Sequence, residues 1–258
     1  MPPPTLVSSS DLSLTPEPLT RTSFAPFGTA IIPPLPRNTI SAPDPLSSHP
    51  KHDLVPEAVA ANQLSALKYS PISPLLNNYP GNCPSGKASE ARISMFSCFP
   101  RRLRPATTSR GDTGKGTPTS LFDVTILERH PYTTQTFSPL SLSTDEETIY
   151  LVIVAPTLAG QTAIAKTDEG EEVTIRDPPD LSRVKVFWAT GDQAVTYGAG
   201  TWHAPMVVVG TRRVDFMVSQ FVNGVAEEDC QEVGFPQGLV VEVRSGGAGG
   251  KEGVKARL

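Results

Sequence analysis

Four polar side chains carry the chemistry this sequence could perform: Glu128, His130, Gln135 and His203. Glu128 and His130 are two positions apart, so on a strand their side chains leave the same face. Gln135 follows the Pro131 turn and could meet them from the next strand. His203 stands near the end of Gly191-Asp192-Gln193-Ala194-Val195-Thr196-Tyr197-Gly198-Ala199-Gly200-Thr201-Trp202-His203-Ala204-Pro205, a glycine-punctuated turn between two apolar runs. An imidazole at a strand mouth, beside an aromatic wall, is how a small β-barrel presents a base or a ligand to a bound small molecule. A carboxylate, an imidazole and an amide facing inward are costly to bury unless they hold a metal, a substrate or each other. Each piece taken alone also has a plainer reading. His203 could be a hydrogen-bonded hairpin histidine, and Glu128-Arg129-His130 a solvated run beside a turn.

The elements that must position these residues read as strands. Residues 93–99, 121–127, 134–137, 149–155, 184–189, 206–209, 214–221 and 239–243 are short and rich in β-branched and aromatic residues, and turn residues bound most of them. Such strands, with no long helical pattern between them, predict an antiparallel barrel or sandwich rather than a parallel α/β sheet. One short helix is expected over 57–67, with Pro56 to open it.

Composition narrows the function classes. A net charge of -4 gives no global argument for nucleic acid or an anionic membrane, and no apolar run approaches a membrane span. Cys83, Cys98 and Cys230 match no metal or redox spacing and read as free thiols of a reducing compartment. The sequence has 27 prolines, too many for a helical protein, and they crowd its first half. Residues 1–20 read as a disordered leader, 21–243 as one domain, and 244–258 as a flexible Gly-rich tail. Loop insertions are expected near 101–119, which is basic, and 160–177, whose acidic 168–172 suits a solvated hairpin tip. Gly111 to Thr117 resembles a phosphate loop only superficially, because the glycine spacing is wrong and Gly116 follows Lys115. The chain ends in Ala256-Arg257-Leu258, the chemical pattern of a peroxisomal signal, so cytoplasmic and peroxisomal addresses both stay open.

Over most of residues 24–233 the chain resembles the ureidoglycolate lyases, cupin-fold enzymes of allantoin breakdown, in their fungal form. The shared pieces are Phe24-Ala25-Pro26-Phe27-Gly28, Asn62-Gln63 with Lys68-Tyr69, and Glu128-Arg129-His130-Pro131 with Gln135, Phe137 and Pro139. They continue through Pro179-Asp180-Leu181, Gly191-Asp192-Gln193, Tyr197, Gly200 to Pro205, and Val214-Asp215-Phe216. Leu64 stands where members often carry Gly, and Ser97 where Arg is common.

The resemblance implies a mainly β, cupin-like double-stranded β-helix barrel with a Pro-rich N-terminal extension. It also implies a homodimer, and cleavage of ureidoglycolate to glyoxylate and urea. His203 is then the general base or a metal ligand, with Glu128 and His130 as partner acid or remaining ligands. Gln135 would orient the ureido group, Lys68 would take the substrate carboxylate, and Tyr69, Tyr197 and Trp202 would shape the pocket. Cupins usually hold metal with His-x-His, a later Glu and a distant His. The corresponding set here, Glu128, His130, Gln135 and His203, could bind a divalent ion weakly, and a metal-free acid/base site remains open. The competing reading is a non-catalytic cupin module that binds a small ligand without turnover.

Overall fold

Ile149-Tyr150-Leu151-Val152-Ile153-Val154-Ala155 is an unbroken apolar run, the pattern of a strand buried on both faces. In the computed structural model, which describes residues 2–7, 12–42, 54–106, 119–144 and 147–244, this run is one strand with every residue buried. Its odd-numbered side chains enter a core with Leu127, Val186, Trp202, Val233 and Val241. Its even-numbered ones enter a second core with Phe24, Phe137, Phe187, Tyr197 and Phe216. The two-residue period of a strand therefore separates the two cores along one element.

Two sheets enclose the second core. Among the described residues the larger has twelve strands and runs edge to edge through Glu172–Arg176, Thr162–Lys166, Thr5–Leu6, Gln231–Arg244, Thr119–Arg129, Trp202–His203, Ile149–Ala155, Lys185–Ala189 and Glu17–Pro18. The smaller has five: Gly28–Ile31, Ala194–Tyr197, Gln135–Pro139, Val214–Val222 and Glu90–Cys98. The chain passes repeatedly from one sheet to the other, giving a mainly β architecture that fits a cupin-like barrel. Ala194–Tyr197 and Trp202–His203, only a short turn apart, lie in opposite sheets. Among the described residues no helix is long and apolar enough to cross a membrane.

Two sequence expectations are corrected. The described part of the leader is built into the larger sheet: Thr5–Leu6 and Leu12–Leu14 pair with Gln231–Arg244, and Glu17–Pro18 pairs with Lys185–Ala189. Backbone pairing and burial of Leu6 and Leu19 at 3% exposure order a segment whose Ser/Thr/Pro composition suggested none. The helix over 57–67 is instead a hairpin, Val59–Ala61 paired with Ala66–Lys68. Asn62, Gln63 and Leu64 have φ of 48°, 56° and 70°, a left-handed turn that no right-handed helix can contain. The expected insertion at 160–177 is the hairpin Thr162–Lys166/Glu172–Arg176, with its acidic residues at the tip. Residues 107–118, the greater part of the basic insertion, and 245–258, which carry the tail, lie outside the described residues.

Candidate active site

Cross-strand register brings the chemistry together. Glu128, one residue from the end of Thr119–Arg129, is the Cα partner of His203 on the neighbouring strand, and His130 lies just past the strand end. Ligand atoms of Glu128, His130 and His203 all fall within 4.8 Å of one another. His203 and His130 are 1% and 6% exposed, with ring centroids 5.5 Å apart.

Backbone carbonyls fix which nitrogen of each imidazole is bare. His203 Nδ1 lies 2.9 Å from the Thr201 carbonyl oxygen, and His130 Nδ1 lies 2.6 Å from that of Asp229. A carbonyl only accepts, so both rings carry their proton on Nδ1 when neutral, leaving a lone pair on Nε2. Among the described residues neither buried Nε2 atom has a hydrogen-bond partner, and that of His203 is 3.5 Å from Glu128 Oε1. This constellation is a site for something that supplies a proton or accepts lone pairs.

The supports lie in two turns. Gly200, at φ 78°, permits the reversal before Trp202–His203, and its amide donates to the His130 carbonyl at 2.8 Å, tying the two histidine segments together. The Asp229 carboxylate accepts the amides of Asn223 and Gly224, each at 2.8 Å, and the Tyr79 hydroxyl at 2.7 Å. That clamp holds the Asp229 carbonyl on which His130 rests.

The electrostatics follow from burial and neighbours. Burial opposes the Glu128 anion, but the neighbouring imidazoles, His203 foremost and then His130, outweigh it and hold its carboxyl below the usual range. Burial foremost, then His203, pushes the His130 imidazole below its ordinary value, against the pull of the Asp229 carbonyl. Burial and Glu128 push the Cys230 thiol up to about 12, so it stays protonated and faces Glu128 Oε2 at 4.0 Å. Cys230 and Glu232 form a second cluster with Glu128, though a protonated thiol is a poor ligand.

The other predicted site residues divide. Tyr197 stacks on His203 with centroids 3.9 Å apart and planes 10° from parallel. Gln135 is the Cα partner of Tyr197, is 4% exposed, and has a buried Oε1 with no partner. It reaches this place from the smaller sheet, not from the strand beside Glu128. Trp202 does not wall this site. Adjacent strand residues point to opposite faces, so its indole lies in the other core, donating to the Asp177 carbonyl at 3.0 Å and lying under the Arg129 guanidinium. Tyr69 borders a separate depression of about 370 Å³ with Pro139 and Ala194. That is the far end of the strands that carry Gln135 and Tyr197, roughly 10 Å away at the rise of a strand. Lys68 is exposed on the Val59–Ala61/Ala66–Lys68 hairpin, and among the described contacts none joins it to the cluster. Sequence reasoning missed Asp229, Thr201 and Gln220. The first two act through main-chain carbonyls, which side-chain identity does not reveal.

The model of a family described as ureidoglycolate lyase matches residues 11–242. A Schizosaccharomyces pombe protein named ureidoglycolate lyase is 33% identical over 213 residues, 83% of this chain and 86% of its own length. A Saccharomyces cerevisiae protein of the same name is 31% identical over 228 residues, 87% of this chain and 95% of its own. A Burkholderia mallei (strain NCTC 10229) relative, also so named, is 37% identical over 126 residues, 48% of this chain and 58% of its own.

Proposed function

Because this chain belongs to the ureidoglycolate lyase family, we propose that it is a carbon–nitrogen lyase that splits ureidoglycolate into glyoxylate and urea. The carrying observation is the clustering of Glu128, His130 and His203 within 4.8 Å, where each imidazole has a buried Nε2 with no partner among the described residues. The substrate is a carbinolamine. Its hydroxyl must lose a proton as the C–N electron pair moves to nitrogen, and the departing ureido nitrogen must gain one. The net change is a proton carried from oxygen to nitrogen, which a single well-placed imidazole can shuttle.

His203 takes the hydroxyl proton on Nε2, and Glu128, held as an anion, stabilises the imidazolium that results. The imidazolium then returns the proton to the ureido nitrogen as the bond breaks. Tyr197 holds the imidazole plane by stacking, and Gln135 Oε1 accepts a ureido N–H. Glu128, depressed in pKa, serves as the anion rather than as the resting proton donor.

The donor set also fits a divalent ion, since Glu128, His130 and His203 offer a carboxylate and two bare Nε2 atoms. Bound there, such an ion would acidify the substrate hydroxyl. Gln135, a weaker donor, belongs to substrate binding in this reading.

A second copy of the chain completes the assembly. Glu90–Cys98, nine residues long, is an edge strand that among the described residues pairs only with Val214–Val222. Ile93 and Met95 are 72% and 59% exposed, and Met95 sits opposite the half-exposed Met217. Two such edges pairing antiparallel would satisfy the outward amides and set the apolar Ile93 and Met95 side chains of the two copies side by side.

Incubation of the purified chain with ureidoglycolate, with and without chelator, tests the activity. Equal amounts of glyoxylate and urea are expected. Saturable binding without product would instead make the site a binding module, and loss of turnover on chelation, restored by a divalent ion, would assign the metal.

A further inference from the structure

Gln135 has one amide atom engaged and one waiting. Its Nε2 donates to Gln220 Oε1 at 2.6 Å, while its Oε1 is buried with no partner among the described residues. A primary amide is a two-ended group, with donors at one end and an acceptor at the other, so fixing one end decides what the other presents. Gln220 lies on Val214–Val222, the strand next to Gln135–Pro139 in the smaller sheet, and is half-buried. Its side chain is therefore positioned by the sheet rather than by a loop. On the other side of Gln135 stand Tyr197 and, stacked on it, His203.

We infer that Gln220 is a positioning residue that sets the polarity of the Gln135 amide, so that an acceptor faces the site and selects ligands carrying N–H donors. This rests on the proposed reaction and deepens it, because it names the feature that distinguishes a ureido group from a carboxylate at this position. A ligand N–H meets Oε1 and satisfies a buried atom that is otherwise unpaired. A carboxylate oxygen meets the same atom with repulsion.

Two substitutions at position 220 test the polarity directly. Gln220→Glu offers only acceptors, keeps the bond from Gln135 Nε2, and leaves Oε1 facing the site. Gln220→Lys offers only donors, draws Oε1 toward itself, and turns the NH₂ inward. Binding of the two products, urea and glyoxylate, is measured by calorimetry on wild type and both variants, with thermal melting to show that each is folded. The expected result is urea affinity retained in Gln220→Glu and weakened about tenfold in Gln220→Lys, the size of one hydrogen bond. Glyoxylate affinity should not weaken in parallel.

Equal urea affinity in all three proteins, a parallel loss for both products, or the reverse order of the two variants would overturn the inference. So would the absence of saturable urea binding to the wild type. Should Gln220→Lys fail to fold, Gln220→Leu, which removes the acceptor and frees the amide, carries the same expectation of weakened urea binding against Gln220→Glu. Turnover by the wild type with no effect of position 220 sinks this inference alone. Absence of turnover with the expected binding pattern sinks the proposed reaction alone.

Discussion

The phenol ring of Tyr197 lies flat on the imidazole of His203, 3.9 Å between centroids and 10° from parallel, although the two side chains come from different sheets. The stack closes one face of the imidazole and leaves its Nε2 edge toward Glu128. Only six positions separate the two residues in sequence, and the turn at Gly200 folds one over the other.

His203→Gln should lower turnover by about 10²–10⁴-fold, as loss of an acid/base group does, while thermal unfolding stays cooperative. Gln keeps much of the volume and a polar end but cannot shuttle a proton. Glyoxylate release near the wild-type rate would remove His203 from the chemistry.

Acidification should destabilise the fold. The carboxyl of Glu128 sits below its ordinary 4.5, where His203 and His130 overcome the cost of burial, and burial, then His203, holds His130 below its ordinary 6.5. Both groups bind protons less readily when folded than when unfolded. Their contribution is therefore present above those ordinary values and lost as the pH falls through the lower, folded ones. Melting temperatures between pH 8 and pH 4 should fall first below about 6.5, and His130→Gln should flatten that first part of the decline. A melting temperature that rose with acid would contradict the assigned directions.

Leu64→Gly should stabilise the protein. Leu64 has φ 70° and is 74% exposed, so its side chain contributes little packing while its Cβ strains the left-handed turn. Relief should amount to about 0.5–1 kcal/mol after the extra chain entropy of glycine, read from denaturant midpoints. A loss of stability would mean that the leucine makes contacts worth more than the strain.

Met95→Lys should convert a dimer to a monomer. A lysine on the exposed face of Glu90–Cys98 places like charges across an antiparallel pairing of two copies. Light scattering at micromolar concentration would show the halved mass. A wild-type monomer, or a variant that remains dimeric, would exclude this edge as the interface.

What the sequence determined is what strand periodicity and local chemistry control. The β-branched run Ile149–Ala155 predicted a strand, and it is one, buried throughout. Glu128 and His130 had to leave one side if the chain was extended, and the register with His203 joins them. Residues 57–67 show the weakness of propensity alone: an alanine-containing stretch is a hairpin because three successive left-handed residues reverse it. Residues 2–7 and 12–20 show the weakness of composition, since the strands there are held by Gln231–Arg244 and Lys185–Ala189, over 150 positions further along the chain. Tertiary structure alone decided that Trp202 faces one core while its neighbour His203 faces the site, and that Tyr69 borders another depression. It alone placed Gln135 and Gln220 side by side on one sheet, and gave the Asp229 and Thr201 carbonyls to the two imidazoles. The physical reason is that main-chain carbonyls are the same in every residue. Which one meets a given ring nitrogen is settled by how the sheets close, and no spacing of side chains encodes it.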